Sequence, residues 1–183
     1  MFKLNFSGSM YPSIAVVNKY YPEHLGEEFC DVYENDIVKP RLEAKKSGDK
    51  ILADAFKLSA NSVFGKSNSE HSFLCDSLYT AKTTLTGQLS LTMLIEMLCC
   101  NIQGIKVLQA NTDGITVIIP KIEKRKYWEV CKEWEIITKL SLEYVRYKKM
   151  IIRNVNNYIA IDIDDNIKRK GLFKLHEEMR KRK

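Results

Sequence analysis

The chain has 183 residues, 45% hydrophobic and 28% charged, a balance that suits one core-forming domain or one domain with an insertion. No apolar run approaches the roughly 20 residues that cross a bilayer, and Lys3 and Asn5 interrupt the start where a signal peptide would be apolar. A membrane or secreted protein is therefore disfavoured, and a cytoplasmic compartment is expected. Five cysteines (Cys30, Cys75, Cys99, Cys100, Cys131) show no C-x-x-C spacing and lie far in sequence from the three histidines. They read as reduced, mostly buried thiols rather than a zinc site or a disulfide framework. The net charge of +6 favours a polyanionic partner without specifying one.

In chain order, Phe2 to Phe6 reads as a short strand, followed by a Ser/Gly turn and a second element beginning near Tyr11. Between Gly26 and Ser67, two helical stretches flank Ser47-Gly48-Asp49, a stop signal by composition. They predict an α-hairpin whose first arm carries Arg41, Lys45 and Lys46. In the second arm Ile51, Ala55, Leu58 and Ser62 recur at helical spacing, and Lys57 and Asn61 lie four residues apart on an adjoining face. Residues 82 to 100, with Leu85, Leu89, Met93, Leu94, Met97 and Leu98, predict a long apolar helix buried against a sheet. The β-rich runs Ile105 to Leu108 and Ile115 to Ile119 flank Asn111-Thr112-Asp113-Gly114, predicting a hairpin with Asp113 at or beside its tip. Lys124 to Leu140 predicts an amphipathic helix carrying Trp128 and Trp134. Strands over Met150 to Val155 and Tyr158 to Ile163 follow, then a basic tail from Lys168 to Lys183. No internal repeat is present. This order implies an α+β fold, a sheet backed by helices.

Three short segments stand about fifty residues apart: Gly8-Ser9-Met10-Tyr11-Pro12-Ser13-Ile14, Lys57-Leu58-Ser59-Ala60-Asn61-Ser62-Val63-Phe64-Gly65 and Ala110-Asn111-Thr112-Asp113-Gly114. Asp113, on a hairpin packed by Val107, Ile115 and Val117, suits a divalent ion at a sheet edge, or is a turn aspartate chosen for its backbone preference. Lys57, Asn61 and Phe64 would line one helical face with a cation, an amide and a ring. Arg41 and Lys45 repeat the four-residue spacing, either to grip phosphate or as a solvated face. Tyr11 either packs beneath Pro12 or meets a ligand.

These segments resemble, in order, the A, B and C motifs of family B DNA polymerases, most closely those of bacterial viruses. The resemblance implies a polymerase palm, an antiparallel sheet backed by helices, with an α-hairpin fingers insertion. Its implied boundaries are palm over 1–22, fingers over 23–67, palm over 68–165, and a basic tail over 166–183 leading towards an absent thumb. It implies template-directed transfer of a nucleotide from a dNTP to a primer 3′ end with Mg²⁺, or Mn²⁺. Asp113 then corresponds to the metal ligand, Asn111 holds the place of a first carboxylate, and Gly114 replaces a serine. The A-motif carboxylate falls on Phe6, as a backbone position only, or on Asn5 if one residue is inserted at Gly8. Ser9 and Met10 are implied for phosphate contact and Tyr11 as the sugar gate. Arg41, Lys45 and Lys57 are implied for the triphosphate, Asn61 and Phe64 for the base and sugar. Gly65, Thr112, Asn157, Tyr158, Lys168 and Lys170 are implied for primer and template, although the family's lysines before the equivalent of Tyr158 are missing. Expected partners are a DNA primer-template and exonuclease and thumb regions or other replication proteins, in viral or bacterial host cytoplasm, with no membrane. The chain reads as part of a larger enzyme, a split product or a decayed copy. Two other readings are a catalytically impaired DNA- or nucleotide-binding remnant and an interaction protein built on a palm scaffold.

Overall fold

The computed structural model describes residues 1–7 and 9–174, so Gly8 and the later part of the expected basic tail lie outside the described residues. The chain divides into two compact units. One comprises Met1–Asn5, Met93–Trp134 and the described residues from Leu142 onward; the other comprises Phe6–Thr92 and Glu135–Ser141.

The first unit is built on a six-stranded sheet of β1 (Phe2–Phe6), β2 (Lys106–Asn111), β3 (Gly114–Ile118), β4 (Leu142–Asn154), β5 (Asn157–Asp162) and β6 (Ile167–Lys170), in spatial order β2-β3-β1-β4-β5-β6. The pairings β2–β3, β1–β3, β4–β5 and β5–β6 are antiparallel. Residues alternate between faces along a strand. In β1 this sends Phe2 and Leu4 to one side and Lys3 and Asn5 to the other. The apolar rows Phe2–Val117–Val107 and Leu4–Ile115–Ala110 follow from the register. Phe2, Leu4, Ile115 and Val117 are all buried. Helix α6 (Lys124–Thr138) packs on this side through Tyr127 and Trp128, whose rings lie 5.0 and 5.9 Å from that of Phe2, and Trp128 meets Tyr144 of β4 at 4.6 Å. Tyr147, Tyr158 and Ala160 form a second buried cluster with Met1, Val145 and Met150.

The second unit is helical. Helix α1 (Met10–Asn18) precedes α2 (Glu28–Val32), which runs through a π-helical stretch, Tyr33–Val38, into α3 (Lys39–Ser47). Gly48 takes a left-handed φ of 81° that ends α3, and the Asp49 carboxylate accepts from the Leu52 N–H to start α4 (Lys50–Lys66). The stop signal at 47–49 is thus a helix end followed by a helix cap. Tyr33, Val63, Leu74, Tyr79 and Ala15 form the core, and the Tyr33 hydroxyl donates to the Ala60 carbonyl at 2.8 Å. Helix α5 (Ser77–Asn101) is capped by Asp76, whose carboxylate accepts from the Tyr79 N–H at 2.8 Å.

Several expectations need adjusting. The stripe of Ile51 and Leu58 on α4 faces solvent, at 87% and 71% exposure, while Ala60 and Val63 are the buried positions. On α5, Leu91, Leu94 and Leu98 are buried but Leu85 and Leu89 are exposed. The strand expected from Met150 begins eight residues earlier, at Leu142. Among the thiols Cys30 and Cys131 are buried, Cys75 is half-buried, and Cys99 and Cys100 are exposed. Among the described residues no helix is long and apolar enough to cross a membrane.

Candidate functional site

Two constellations gather the residues singled out by sequence, one in each unit. In the sheet unit, β2 and β3 are joined by the two-residue turn Thr112-Asp113, both exposed. Asn5 pairs with Gly114 across the β1–β3 ladder, and Gly114 pairs with Asn111 across the hairpin. Asn5 therefore stands beside Asp113, whereas Phe6 is a buried apolar residue. Gly114 explains itself: a Cβ there would lie 2.1 Å from the Leu4 carbonyl oxygen and 2.7 Å from Asn5 Oδ1. The serine of the family pattern cannot occupy this position with β1 so close, so Gly114 and Asn5 are coupled features.

The neighbouring row on the same sheet face is polar and buried: Lys3, Thr116 and Gln109. Lys3 Nζ donates to Tyr158 Oη at 3.1 Å. Burial lowers the Lys3 pKa from its ordinary value, and the charge of Asp113 opposes that shift. Lys170 Nζ lies 5.9 Å over the Tyr158 ring, in register across β5–β6. Tyr158 is fully buried, so the exposed polar groups near it are those of Lys168 and the half-buried Lys170. Asn157 holds the strand end, its Oδ1 accepting from the Leu172 N–H at 2.8 Å and its amide donating to Asn154 Oδ1.

The oxygens available to a hard cation at this corner are the Asp113 carboxylate and the amide oxygens of Asn5 and Asn111. The side-chain oxygen and nitrogen of Asn111 are buried without hydrogen-bond partners. Among the described residues no three His, Cys, Asp or Glu side chains cluster, so this corner offers a divalent ion one carboxylate and neutral amide oxygens rather than a set of carboxylates.

In the helical unit, the A-like and B-like segments touch. Arg41 Nη1 on α3 donates to Ser9 Oγ at 2.7 Å, with both residues buried, immediately before the first turn of α1. The Tyr11 ring stacks on Phe64 of α4, centroids 3.8 Å apart and planes 17° apart. Met10 is buried, its Cε 2.5 Å from where a Cβ on Gly87 would stand, so a small residue on α5 lets α1 approach. Lys57 and Asn61 are exposed on α4, about two turns and one turn before the stacked ring respectively, and Lys45 is exposed at the end of α3. Asn61 and Gly65, with Ser62, Lys66 and Ser69, line a shallow cleft of about 380 Å³.

Sequence reading passed over Lys3, Gln109 and Thr116. The alternation Phe2-Lys3-Leu4-Asn5-Phe6 was the available signal, since it places Lys3 and Asn5 on one face.

No family model matches the chain, and no curated protein matches it in sequence. Its structure is similar to that of the family B DNA polymerase from the hyperthermophilic archaeon Pyrobaculum calidifontis, with a TM-score of 0.65 and 18% identity over 93% of this chain. The chain spans 26% of that polymerase's length. At this identity the likeness is one of fold: the chain is folded like a part of a family B DNA polymerase.

Proposed function

We propose that this chain is the palm and fingers region of a family B-like, phage-type DNA polymerase, adding deoxynucleotides from dNTPs to a primer 3′ end on a DNA template. In this reading residues 23–67 are the fingers and the segments 1–22 and 68–165 the palm. The observation that carries it is the meeting of segments distant in sequence, Tyr11 on Phe64 and Arg41 on Ser9, in a chain folded like a part of a family B DNA polymerase. Nothing in a helical core demands that a motif-like tyrosine and a motif-like phenylalanine stack flat.

The division of labour follows from the chemistry of each group. Lys57, Lys45 and Arg41 neutralise the triphosphate, with Arg41 exchanging its serine partner for phosphate oxygen. The positive end of α1, whose first turn begins at Met10 and Tyr11, favours an anion. The Tyr11–Phe64 stack forms a rigid apolar wall against which a deoxyribose fits and a 2′-hydroxyl would be left without a partner. Asn61 and Gly65 bound the cleft that takes the base pair. In the sheet unit, Asp113 with the amide oxygens of Asn5 and Asn111 would hold a divalent ion, which supplies charge stabilisation to phosphate oxygens when bound. Thr112, Asn157, Lys168 and Lys170 would contact the primer-template backbone.

The test is template-directed binding of dNTP to a chain–primer-template complex, followed by fluorescence. Lys57→Ala should weaken binding of the matched dNTP by about tenfold, the effect of losing one charge-assisted phosphate contact. Equal affinity for matched and mismatched dNTPs, or none for either, would sink the proposal. The single carboxylate at the corner favours a second reading, a remnant that binds nucleotide and DNA without extending a primer; dNTP binding without incorporation would identify it.

A further inference from the structure

On the α6 side of the sheet unit, three rings gather around the indole of Trp128. It meets Tyr144 of β4 with centroids 4.6 Å apart and planes at 66°, Tyr127 at 5.1 Å and 70°, and Phe2 of β1 at 5.9 Å and 85°. These edge-to-face neighbours hold the indole in one orientation. Tyr127 and Phe2 are buried, but Trp128 is half-buried and Tyr144 is 36% exposed, so part of the cluster is open to solvent. Cations frame it. Lys124 and Arg125 stand four and three residues before Trp128 and Lys132 four after it, the positions that neighbour it on the helix surface, and all three are exposed. From β4, the exposed Arg146 lies two residues beyond Tyr144 on the same face of the strand, its guanidinium carbon 5.7 Å from the centre of the Phe2 ring. Glu129, the residue after Trp128, is paired with Arg125 at 2.9 Å. Among the described residues Lys124, Lys132 and Arg146 are in no ion pair.

We propose that Trp128 and Tyr144, with Lys124, Lys132 and Arg146, form a binding site for single-stranded nucleic acid, in which an unpaired base stacks on the open part of the Trp128–Tyr144 pair and the cations take the flanking phosphates. The joining of two chemistries carries it. A ring face suits any base, and cations around that ring suit a backbone with a charge on every nucleotide. An acidic peptide would use the cations and leave the rings idle. Because its neighbours already fix the indole, little freedom is lost when a base stacks on it. The site differs from the one proposed for the dNTP and primer end. Phe2 alternates with Lys3 and Asn5 along β1, so the cluster lies on the face of the sheet opposite the row of Asn5, Gly114 and Asn111. The inference therefore goes beyond the polymerase reading and does not depend on it. In a polymerase, the site would hold unpaired strand on the protein away from the primer end.

Trp134 is fully buried, so a change in indole emission on adding a strand reports on Trp128. The experiment titrates the full chain at low salt with oligothymidylate and, separately, with oligouridylate, reading both tryptophan quenching and the anisotropy of an end-labelled strand. Oligoglutamate serves as a polyanion without bases, and thermal melts confirm that each variant folds. Quenching and anisotropy should saturate together and weaken as salt rises, and the tighter of the two strands says whether DNA or RNA occupies the site. Tyr144→Ala and Trp128→Leu should each weaken the anisotropy-detected binding by about tenfold, the loss of one stacking partner. Arg146→Gln should weaken it and lower the salt slope by about one phosphate contact. Asp113→Asn and Lys57→Ala, which test the polymerase reading, should leave the quenching intact. Strand binding without quenching, unchanged affinity in both Tyr144→Ala and Trp128→Leu, or oligoglutamate binding as tightly as either strand would overturn the site and leave the polymerase reading standing. Failure of both strands to bind at low salt would overturn the site as well.

Discussion

Gly114→Ala is the substitution that the close approach of β1 and β3 makes most costly. The added methyl would lie 2.1 Å from the Leu4 carbonyl oxygen, 2.7 Å from Asn5 Oδ1 and 3.0 Å from Asn5 Cα, and two of those three atoms are backbone. A carbon–oxygen contact settles near 3.3 Å, so the strands must part by roughly 1.2 Å at the Asn5–Gly114 pair. Ladder hydrogen bonds near 2.9 Å do not survive such a displacement. Overpacking costs about 1–3 kcal/mol and each broken ladder bond about 1 kcal/mol more, giving a loss of at least ~3 kcal/mol. For a chain of this size that lowers the melting temperature by about 6–12 °C. Gly65→Ala is the matched control. Gly65 lies within α4 with nothing inside 4 Å of its added methyl, so alanine there should stabilise by about 0.5–1 kcal/mol. Urea and thermal denaturation read both. A Gly114→Ala protein within about 0.5 kcal/mol of wild type would refute the β1–β3 register, and with it the position of Asn5 beside the turn.

Asp76→Ala should cost about 1 kcal/mol by removing the cap of α5. Burial pushes the Asp76 carboxyl up, but backbone N–H groups of Tyr79, Glu23 and Leu78 outweigh it and hold its pKa below the ordinary value. Its contribution is therefore present above that ordinary value and disappears as pH falls through the lowered one, so acid melts of wild type and variant should converge. At the alkaline end, burial pushes Tyr79 and Tyr147 up to about 12. The unfolded chain ionises these phenols near pH 10 while the folded chain keeps them neutral, so stability should fall as pH rises from 10 towards 12, with delayed tyrosinate absorbance appearing together with unfolding. Tyr11→Ala removes the stack on Phe64. It should raise ribonucleotide use relative to deoxynucleotide by about tenfold in competitive incorporation, with the fold intact by circular dichroism.

Local chemistry explains what the sequence made legible. Phe2 to Phe6, the Ser47-Gly48-Asp49 break and the Asn-Thr-Asp-Gly turn are each set by a few adjacent residues, and each forms the expected element. Helical period identifies α4 but not its buried face: Ile51 and Leu58 match the pattern as well as Ala60 and Val63 do, and tertiary packing against Tyr33 and Tyr79 selects the latter. The early start of β4 was hidden because Tyr144 to Lys149 mixes charged and aromatic residues, several of them exposed, and the ladder partners of that stretch lie elsewhere in the chain. At the candidate site, spacing paired Lys57 with Asn61, but Asp113 and Tyr11 stood out only through the resemblance of the three ordered segments, since each alone reads equally as a turn or packing residue. The place of Asn5 depends on a pairing across more than a hundred residues, which no local pattern encodes. Lys3 needed both that pairing and the position of Tyr158 before its burial could be seen.

The most direct measurement is single-nucleotide primer extension by the purified chain in Mg²⁺ and in Mn²⁺, with Asp113→Asn as the blank. A templated nucleotide added by the wild type and lost in Asp113→Asn is the result that a polymerase palm with its one carboxylate predicts. A folded wild type that adds nothing in either metal, or adds no more than Asp113→Asn, would contradict it.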